Sequence, residues 1–469
     1  MTSILIRFTA ALAGTLLMAG CALTLPPTQV PLQAPAQWQT PLPHQGQLHR
    51  LSDWWRQQDD PLLLTLIEAA QAASPGVTQA LARLAAARAT QVSAQAALLP
   101  QLDAAVSASR SISQAQVPLA STAQAGLQAA WELDLVGANR TVSQAASAQV
   151  DASQAQWHHA RVAVAAEVAN LLYGLRTCTQ LLTLAQQDAQ SRQESARLAD
   201  LSARAGFAAP ASAALAQAAA AEARSRVSSQ AAQCALNTKA LVELTALSEP
   251  DLRQQLAQAP RAPDTLAPLS ISRVPAQALT QRPDVFTAER EVVMASAQVG
   301  SAQAQRYPRL TLNGAIGAQR YRAAGVEADL TTWSFGPLAL TLPVFDGGRR
   351  AASVTAAEAH YQSTVVAYQG KVRQAVREVE DALISLQSSE ARQLDASVST
   401  QAYAASLAAT QARYGQGLAS LVELEEARRL ALAAESAQLA LQLERSRAWV
   451  ALYRALGGGW TPAPVSPPL

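Results

Sequence analysis

The residues best suited to chemistry in this chain are its three cysteines and five histidines. Cys21, Cys178 and Cys234 lack the spacing of a zinc site, and no His-Glu-x-x-His, Gly-x-Ser-x-Gly or phosphate-binding loop occurs. The adjacent His158 and His159 point to different parts of a helix surface. The sequence therefore predicts a protein that is not an enzyme and that uses no metal and no cofactor.

Cys21 stands at the end of an N-terminal targeting signal. Arg7 precedes an apolar run over residues 8–18, shorter than the roughly 20 residues of a membrane-spanning helix. Small residues lead into Cys21, as in a bacterial lipobox, although Met18 stands where leucine is more usual. We expect cleavage after residue 20 and acylation of Cys21. The alternative is an ordinary secretory signal beside an unrelated cysteine.

The composition excludes some classes of protein and favours long helices. The formal net charge is only +2, so the charge gives no reason to expect binding to nucleic acid. Apolar residues make up 49% of the chain but aromatic residues only 4%. Much of the apolar fraction is alanine, which suits helices that pack closely through small side chains.

The chain contains two copies of one pattern. Three landmarks recur at nearly one offset: Pro100 at Pro308, Gly137 at Gly347, and Gly206 at Gly417, which are 208, 210 and 211 positions apart. In each copy the order is helix, two strands, long helix, short turn and helix. Copy one gives 62–98, 102–113, 125–135, 137–205 and 211–246. Copy two gives 284–306, 310–320, 333–342, 347–414 and 418–456.

These elements divide the chain into six segments. We expect a lipoprotein signal peptide over 1–20 and a lipid-anchored, proline-rich leader over 21–61. The first repeat occupies 62–247 and the second 282–459. A proline-rich connector over 248–281 forms a belt around the helices, and residues 460–469 form a disordered tail.

The strands alternate as membrane-barrel strands do. Leu127, Ala129, Trp131, Leu133 and Leu135 share one parity, with polar residues between them. In the fourth strand the apolar parity switches at Gly336-Pro337, which predicts a bulge or kink. A soluble antiparallel sheet with one buried face would show the same alternation, so the strands alone leave both structures open.

Helix lengths predict the architecture. The helix over 137–205 would be roughly 100 Å long at about 1.5 Å per residue, and the two shorter helices of its copy together match that length. Four strands cannot close a barrel, because bacterial barrels need about eight or more. The predicted fold is therefore mainly α with a small β part, and it requires an oligomer: a trimer would supply twelve strands and a dimer eight.

Cys178 and Cys234 lie 28 residues before and after Gly206. On two antiparallel helices joined at that glycine they have the same height, roughly 42 Å from the turn at about 1.5 Å per residue. A secreted chain folds in an oxidising compartment, so we predict a disulfide bond between them. The alternative is two free thiols whose side chains point apart.

Four stretches carry a family resemblance. They are Trp131-Glu132-Leu133-Asp134-Leu135-Val136-Gly137, Gln281-Arg282-Pro283-Asp284-Val285, Leu342-Pro343-Val344-Phe345-Asp346-Gly347-Gly348 and Tyr453-Arg454-Ala455-Leu456-Gly457-Gly458-Gly459-Trp460. With the lipobox they run in family order over nearly the whole chain. The chain resembles the TolC-like outer-membrane efflux channels, in particular their NodT/OprM-type lipoprotein branch. Each stretch also has a local structural role at a helix start, a tight turn or a helix end.

The resemblance implies a homotrimer with a twelve-stranded β-barrel in the outer membrane and a helical barrel through the periplasm. It implies a passive channel for drugs and other xenobiotics in a tripartite pump. The implied partners are an inner-membrane RND-type transporter, a periplasmic adaptor, further copies of the chain and outer-membrane lipid.

In this family the far tips of the two hairpins form the entrance that meets the adaptor. The contact candidates here are Arg204, Gly206, Phe207, Arg413, Gly417 and Leu418; the alternative is that both tips are plain solvated turns. Several members close this entrance with acidic rings just after the second tip glycine. Ala419, Ser420 and Val422 stand there instead, so that gate is not carried over.

Three other classes of protein compete with this interpretation. A periplasmic adaptor lipoprotein would have one hairpin flanked by compact β-domains, and a coiled-coil envelope protein would lack the four alternating strands. A channel for protein secretion shares the fold. The lipobox and the Gly-Gly-Gly-Trp ending favour the drug-efflux branch.

Overall fold

The computed structural model describes residues 23–40, 54–112, 119–259 and 279–460. Its helices are α1 (Pro61–Ala73), α2 (Pro75–Ala96), α3 (Ala138–Arg204), α4 (Pro210–Thr245), α5 (Glu249–Gln258), α6 (Pro283–Ala304), α7 (Arg349–Gly415) and α8 (Leu421–Ala455). Its strands are β1 (Gln101–Ser111), β2 (Ala120–Leu133), β3 (Arg309–Ala323) and β4 (Val326–Thr341). The predicted signal peptide and Cys21 lie outside the described residues, as does most of the connector.

The two repeats have matching elements. Helices α3 and α7 both contain 67 residues, α2 and α6 both contain 22, and α4 and α8 contain 36 and 35. The mainly helical fold with four strands is the predicted one. Most helix boundaries lie within three residues of those expected, because proline and glycine mark them in the sequence.

One continuous helix was predicted over 62–98. The structure instead has two helices there, α1 and α2, with a break between them. Ser74 has extended backbone angles and Pro75 begins the second helix. Proline has no amide hydrogen and disfavours the helical conformation of the residue before it. The hydroxyl of Ser74 accepts a hydrogen bond from the amide of Val77 at 3.3 Å, so the break is capped.

The proline-rich connector contains a helix that was not predicted from its sequence. Helix α5 has Ser248 as its N-cap, with Pro250 in its first turn and Glu249 and Asp251 at its positive end. Each of these residues favours a helix start. A second correction concerns Trp460, which was assigned to a disordered tail but is buried in the structure.

The strands form one antiparallel sheet in the order β1-β2-β3-β4. Two strands begin earlier than expected, β2 at Ala120 instead of residue 125 and β4 at Val326 instead of residue 333. The β2 extension holds small and polar residues and carries no apolar alternation. In the β4 extension Val326, Ala328 and Leu330 do alternate, but with the parity opposite to that of Trp333 and Phe335. As a consequence, Trp333 and Phe335, which lie at the start of the expected strand over 333–342, lie inside β4.

The chain divides into two compact units. One unit contains the sheet, within residues 81–155 and 286–370, together with the chain up to Pro31. The other contains residues 32–80, 156–285 and 371–469, with a large core that includes Trp54, Leu63, Leu172 and Leu452. Over the described ranges, no helix is both long and apolar enough to cross a membrane.

Candidate functional site

One face of the sheet is apolar and exposed. Paired residues of neighbouring strands lie on the same face, so the register places Leu102, Leu127, Ile316 and Trp333 together. The large exposed apolar residues on this face are Leu102, Val106, Leu127, Ile316, Trp333, Phe335, Leu338 and Leu340. Such a face is stable only against another apolar medium or surface.

A β-bulge keeps this face continuous through β4. Leu338 pairs with Leu312 and Phe335 pairs with Gly314, so Gly336 and Pro337 together oppose one residue of β3. The extra residue reverses the parity and leaves Phe335 and Leu338 on the same face. The predicted irregularity is confirmed, and it keeps the large side chains from Trp333 to Leu340 on the apolar face. Leu330, which pairs with Gln319, lies on the opposite face.

The opposite face carries mainly hydroxyl and amide groups. Gln124, for example, pairs with Ser107 on one side and with Gln319 on the other. Its polar members include Ser107, Ser109, Thr122, Gln124, Gln128, Asn313, Gln319, Thr332 and Ser334. Asp103, Glu132 and Arg309 bring charge to this face only near the strand ends that join the helices. A sheet of this kind can separate water from lipid.

Charged pairs end the apolar face at the β3–β4 turn. Arg320 donates to Asp329 at 2.7 and 2.9 Å, and Arg322 donates to Glu327 at 3.0 and 2.9 Å. The register puts all four side chains on the apolar face, beyond its last large apolar residue. An apolar band that is followed by charged side chains is the pattern expected where a strand leaves a bilayer.

Each strand pair joins its long helix through an aspartate cap. The carboxylate of Asp134 accepts from the amides of Asn139 at 3.2 Å and Arg140 at 2.9 Å. Asp346 repeats this arrangement, because its carboxylate accepts from the amide of Arg350 at 3.2 Å. In both repeats the arginine side chain also bonds the aspartate. The negative charge at the helix N-terminus stabilises α3 and α7.

Other residues of the same two stretches shape the junctions. The indole of Trp131 donates to the backbone carbonyl at position 98 at 3.1 Å. Gly137 and Gly347 have φ values of 83° and 64°, which other residues rarely adopt. Pro343 lies between β4 and α7, and the Phe345 beyond it is 92% exposed.

The two hairpin tips have the same backbone hydrogen bonds. Gly206 and Gly417 lie at φ values of 77° and 73°, and the next residue donates back to a carbonyl five residues earlier, at 2.9 and 2.8 Å. Phe207 is 87% exposed and Leu418 is 64% exposed. Arg204 pairs with an aspartate one helical turn before it. Arg413 donates to the carbonyl of Leu418 at 3.0 Å and so braces its own tip.

Cys178 on α3 and Cys234 on α4 are joined by a disulfide bond in the structure. Their Cα atoms are 5.6 Å apart, and both residues are buried. The amide of Gln230 donates to the backbone carbonyl of Cys178 at 3.3 Å and holds the same two helices together. Equal distance from Gly206 gives the two cysteines the same height, and the rotation of the two helices turns their side chains toward each other.

A buried charge network was not foreseen from the sequence. Arg192 on α3 bonds Asp188, one turn away, and Glu425 on α8. Arg428 bonds the same Glu425 at 2.9 Å and the hydroxyl of Ser195 at 2.8 Å. The pairs within one helix can be read from residues three or four positions apart. Nothing in the sequence indicates that residues 233 positions apart meet. The network ties the two hairpins to each other.

The second and fourth family stretches form one buried cluster. Arg282 donates two hydrogen bonds to Asp284, one to Glu378 at 2.7 Å and one to the backbone carbonyl of Ala455 at 2.9 Å. Burial would raise the pKa of Asp284, but the bonds and charge of Arg282 outweigh it and lower that pKa. Arg282 thereby links the C-terminus of α8 to the N-terminus of α6, which begins at Pro283.

The glycines after α8 make this contact possible. A β-carbon on Gly457 would lie 2.3 Å from the carbonyl oxygen of Gln281 and 2.9 Å from Pro283. The backbone there also has a positive φ of 78°. Any side chain at Gly457 would push the two stretches apart. Close packing therefore explains why glycine stands at this position.

The fold and this two-faced sheet define an outer-membrane channel, and the comparisons with known proteins agree. A family model described as outer membrane efflux protein matches residues 66–247 and 274–458. The chain belongs to the outer membrane efflux protein family. It is an efflux channel of the outer membrane that extends into the periplasm.

Several relatives match over most of their length. The outer membrane protein OprJ of Pseudomonas aeruginosa is 32% identical, over 87% of this chain and 86% of OprJ. Nodulation protein T of Rhizobium leguminosarum bv. trifolii is 28% identical, over 87% of this chain and 88% of its own. The open-state MtrE channel of Neisseria gonorrhoeae superposes with a TM-score of 0.79 at 25% identity, covering 94% of this chain and 99% of MtrE.

Proposed function

We propose that this channel is the outer-membrane subunit of a tripartite pump that exports small organic molecules. A periplasmic adaptor and an inner-membrane RND-type transporter would deliver the substrates and supply the energy. The observation that carries the proposal is the sheet, whose exposed apolar face suits lipid while its polar face suits a water-filled passage. A relative that is 29% identical is a toluene efflux pump outer membrane protein of Pseudomonas putida, which supports apolar compounds as substrates.

The functional unit is a homotrimer in this proposal. Within one chain β1 and β4 each have one unpaired edge, because the sheet order is β1-β2-β3-β4. Open strand edges are not tolerated in lipid, since their backbone groups would lack hydrogen-bond partners. Three copies would pair β4 with β1 around a ring of twelve strands, an even number that bacterial barrels commonly have.

The passage would discriminate weakly among solutes. Hydroxyl and amide groups on the polar face hydrogen-bond to water and to polar parts of solutes without a strong preference for either sign of charge. The charged residues Asp103, Glu132 and Arg309 are restricted to the strand ends near the helices. The choice of substrates therefore falls to the inner-membrane transporter.

The hairpin tips would meet the adaptor. Phe207 and Leu418 present apolar side chains at equivalent positions of the two tips, where burial by a partner would be favourable. Gly206 and Gly417 set the turns, and Arg204 and Arg413 flank them. Phe207→Ala would then weaken adaptor binding measured with purified proteins, without changing the conductance of the channel alone.

Acylation of Cys21 would add a lipid anchor to the sheet. Palmitate-type chains on the mature N-terminus contribute about 0.8 kcal/mol per buried methylene group, so the anchor would supplement the strands. Incorporation of labelled palmitate, abolished by Cys21→Ser, measures this directly.

Conductance in planar bilayers, measured beside mass in detergent, tests the proposal. A trimeric species that forms stable channels is the expected result. A narrow entrance would give low or flickering conductance from the same trimer. A monomeric protein without bilayer activity would contradict the channel and favour the adaptor alternative.

A further inference from the structure

The leader after Cys21 is bound to the second repeat through Leu25, Pro26 and Pro27. The hydroxyl of Ser296 on α6 donates to the carbonyl of Pro26 at 2.7 Å, and the hydroxyl of Tyr361 on α7 donates to that of Pro27 at 2.8 Å. Ser296 is fully buried. Proline offers a carbonyl oxygen but no amide hydrogen, so both hydrogen-bonding groups of the pair have a partner.

Gly300 provides the space for Leu25. A β-carbon built on Gly300 would lie only 2.2 Å from Cδ2 of Leu25 and 3.0 Å from the methyl group of Thr141. Gly300 lies inside α6, where glycine is less favourable than alanine. The close approach of Leu25 gives a physical reason for this glycine, because any side chain there would displace the leader.

The leader is well suited to such a site. Two consecutive prolines favour an extended polyproline conformation, so little conformational entropy is lost when the segment binds. Grooves that bind such segments use aromatic surfaces and hydrogen-bond donors to the exposed carbonyl groups. Tyr361 supplies both.

The first repeat lacks the equivalent residues. At the offset of 208 positions, Ser296 corresponds to Arg88 and Gly300 to Val92. At the offset of 211 that relates α7 to α3, Tyr361 corresponds to Val150. Val92 carries a side chain where α6 has only the hydrogen of Gly300, and this side chain is 64% exposed. The sequence difference between the repeats therefore restricts the leader to the second.

We propose that Ser296, Gly300 and Tyr361 form a seat for Leu25–Pro27 that fixes the acylated N-terminus beside the strands of the second repeat. The proposal rests on the acylation of Cys21 proposed above. Leu25 lies four positions after Cys21, a reach of at most about 14 Å. Gly300 lies about 6 Å from the end of α6, counted at about 1.5 Å per residue, and β3 begins five residues beyond that end.

The consequence concerns assembly in the membrane. A seated leader delivers the acyl chains of each copy to one defined place at the base of its own strands. A trimer would then have three anchors at equivalent positions, which would hold the strand pairs at the membrane while they associate.

A designed disulfide tests the seat. Leu25→Cys combined with Gly300→Cys should form a bond in the oxidised full-length protein, detected as a cross-linked peptide by mass spectrometry. The matched control is Leu25→Cys with Val92→Cys, which should stay unlinked. No bond in the first variant, or equal bonding in both, would overturn the seat.

Assembly tests the positioning role. Gly300→Leu should take up labelled palmitate like the wild type but form severalfold fewer membrane trimers, whereas Val92→Leu should form trimers normally. Ser296→Ala with Tyr361→Phe removes only the two donors and leaves the helix surface unchanged, so it should give an intermediate loss. Normal trimer yield in both the Gly300 and the double variant would overturn the role. A wild-type protein that conducts but carries no palmitate would overturn the anchor and this proposal while leaving the channel function intact.

Discussion

The two repeats have nearly the same backbone but are held together by different interactions. In the first, a disulfide bond joins Cys178 and Cys234 across the hairpin of α3 and α4. The residues at the same distances from the second tip are Ser389 and Arg445, and Arg445 instead donates to the side chain of Gln393 at 2.7 Å. A duplicated fold therefore does not require duplicated contacts, because packing of matching helices fixes the backbone in either case.

The starts of α2 and α6 show the same contrast. Both begin at a proline, Pro75 and Pro283, which are 208 positions apart. Before the first stands Ser74, a simple helix cap, and before the second stands the buried Arg282 with its four hydrogen bonds. The start of α6 contacts the end of α8, near the end of the described chain, and Arg282 bonds the carbonyl of Ala455 there.

Replacement of Arg282 should have the largest effect. Arg282→Ala leaves the carbonyl of Ala455 without its partner and Asp284 with only the more distant Lys371, at 3.8 Å. Breaking a buried ion pair from one side costs about 3–5 kcal/mol. Denaturant unfolding followed by helical circular dichroism would measure the loss. The matched variant in the first repeat, Ser74→Ala, removes only a cap and should cost about 1 kcal/mol. Equal losses would mean that the two helix starts are energetically alike.

Removal of the disulfide should come next. Cys178→Ser with Cys234→Ser releases a loop of 56 residues, and a native disulfide typically contributes about 2–4 kcal/mol. Unfolding of the double variant against the wild type gives the difference. Alkylation of unreduced, denatured wild-type protein serves as the control, since labelling of both cysteines would show that the bond is absent.

A smaller, pH-dependent difference should come from His158. Burial first, and then the charges of Arg161 and His159, lower the pKa of His158 from its usual value to about 4. Stability from the neutral imidazole is full above pH 6.5 and is lost as the pH falls toward 4. The loss should be roughly 1–2 kcal/mol after allowance for partial exposure.

The second repeat supplies the control for this prediction. Gln369 stands 211 positions after His158, so His158→Gln makes the first repeat resemble the second there. Unfolding midpoints measured from pH 7 to pH 4 should fall less in this variant than in the wild type. A parallel decrease in both proteins would assign the pH dependence to other groups.

The smallest effects should be equal in the two repeats. Asp134→Ala and Asp346→Ala each remove an aspartate cap from a long helix, at a cost of about 1 kcal/mol. Matched losses in unfolding free energy would show that the shared family stretches have the same role in both copies. A much larger loss in one of the two variants would show that its strand-to-helix junction depends more strongly on the aspartate cap.

Much of this architecture could be predicted because its signals are local. The duplication follows from Pro100 and Pro308 and the tip glycines, and alternation with proline and glycine marks most elements. The bulge was visible as a parity switch at Gly336-Pro337. The early start of β2 was missed because small polar residues carry no periodic signal. That of β4 was missed because Val326, Ala328 and Leu330 alternate with the parity opposite to that of Trp333 and Phe335. Helix α5 was missed because its Ser248 cap lies in a proline-rich stretch.

The sequence by itself determined the lengths of the helices, the repeat and the apolar parity of the strands, since these depend on spacing along the chain. The spacing of Cys178 and Cys234 from Gly206 predicted that they lie at the same height on their helices. Whether their side chains face each other also depends on how the two helices are rotated about their axes. Only the tertiary structure decided which distant residues meet, as with Arg192 and Glu425, Arg282 and Ala455, or Leu25 and Gly300. Such contacts depend on how rigid helices pack in three dimensions. The partners lie far apart in the chain, so the sequence around one residue carries no signal of the other.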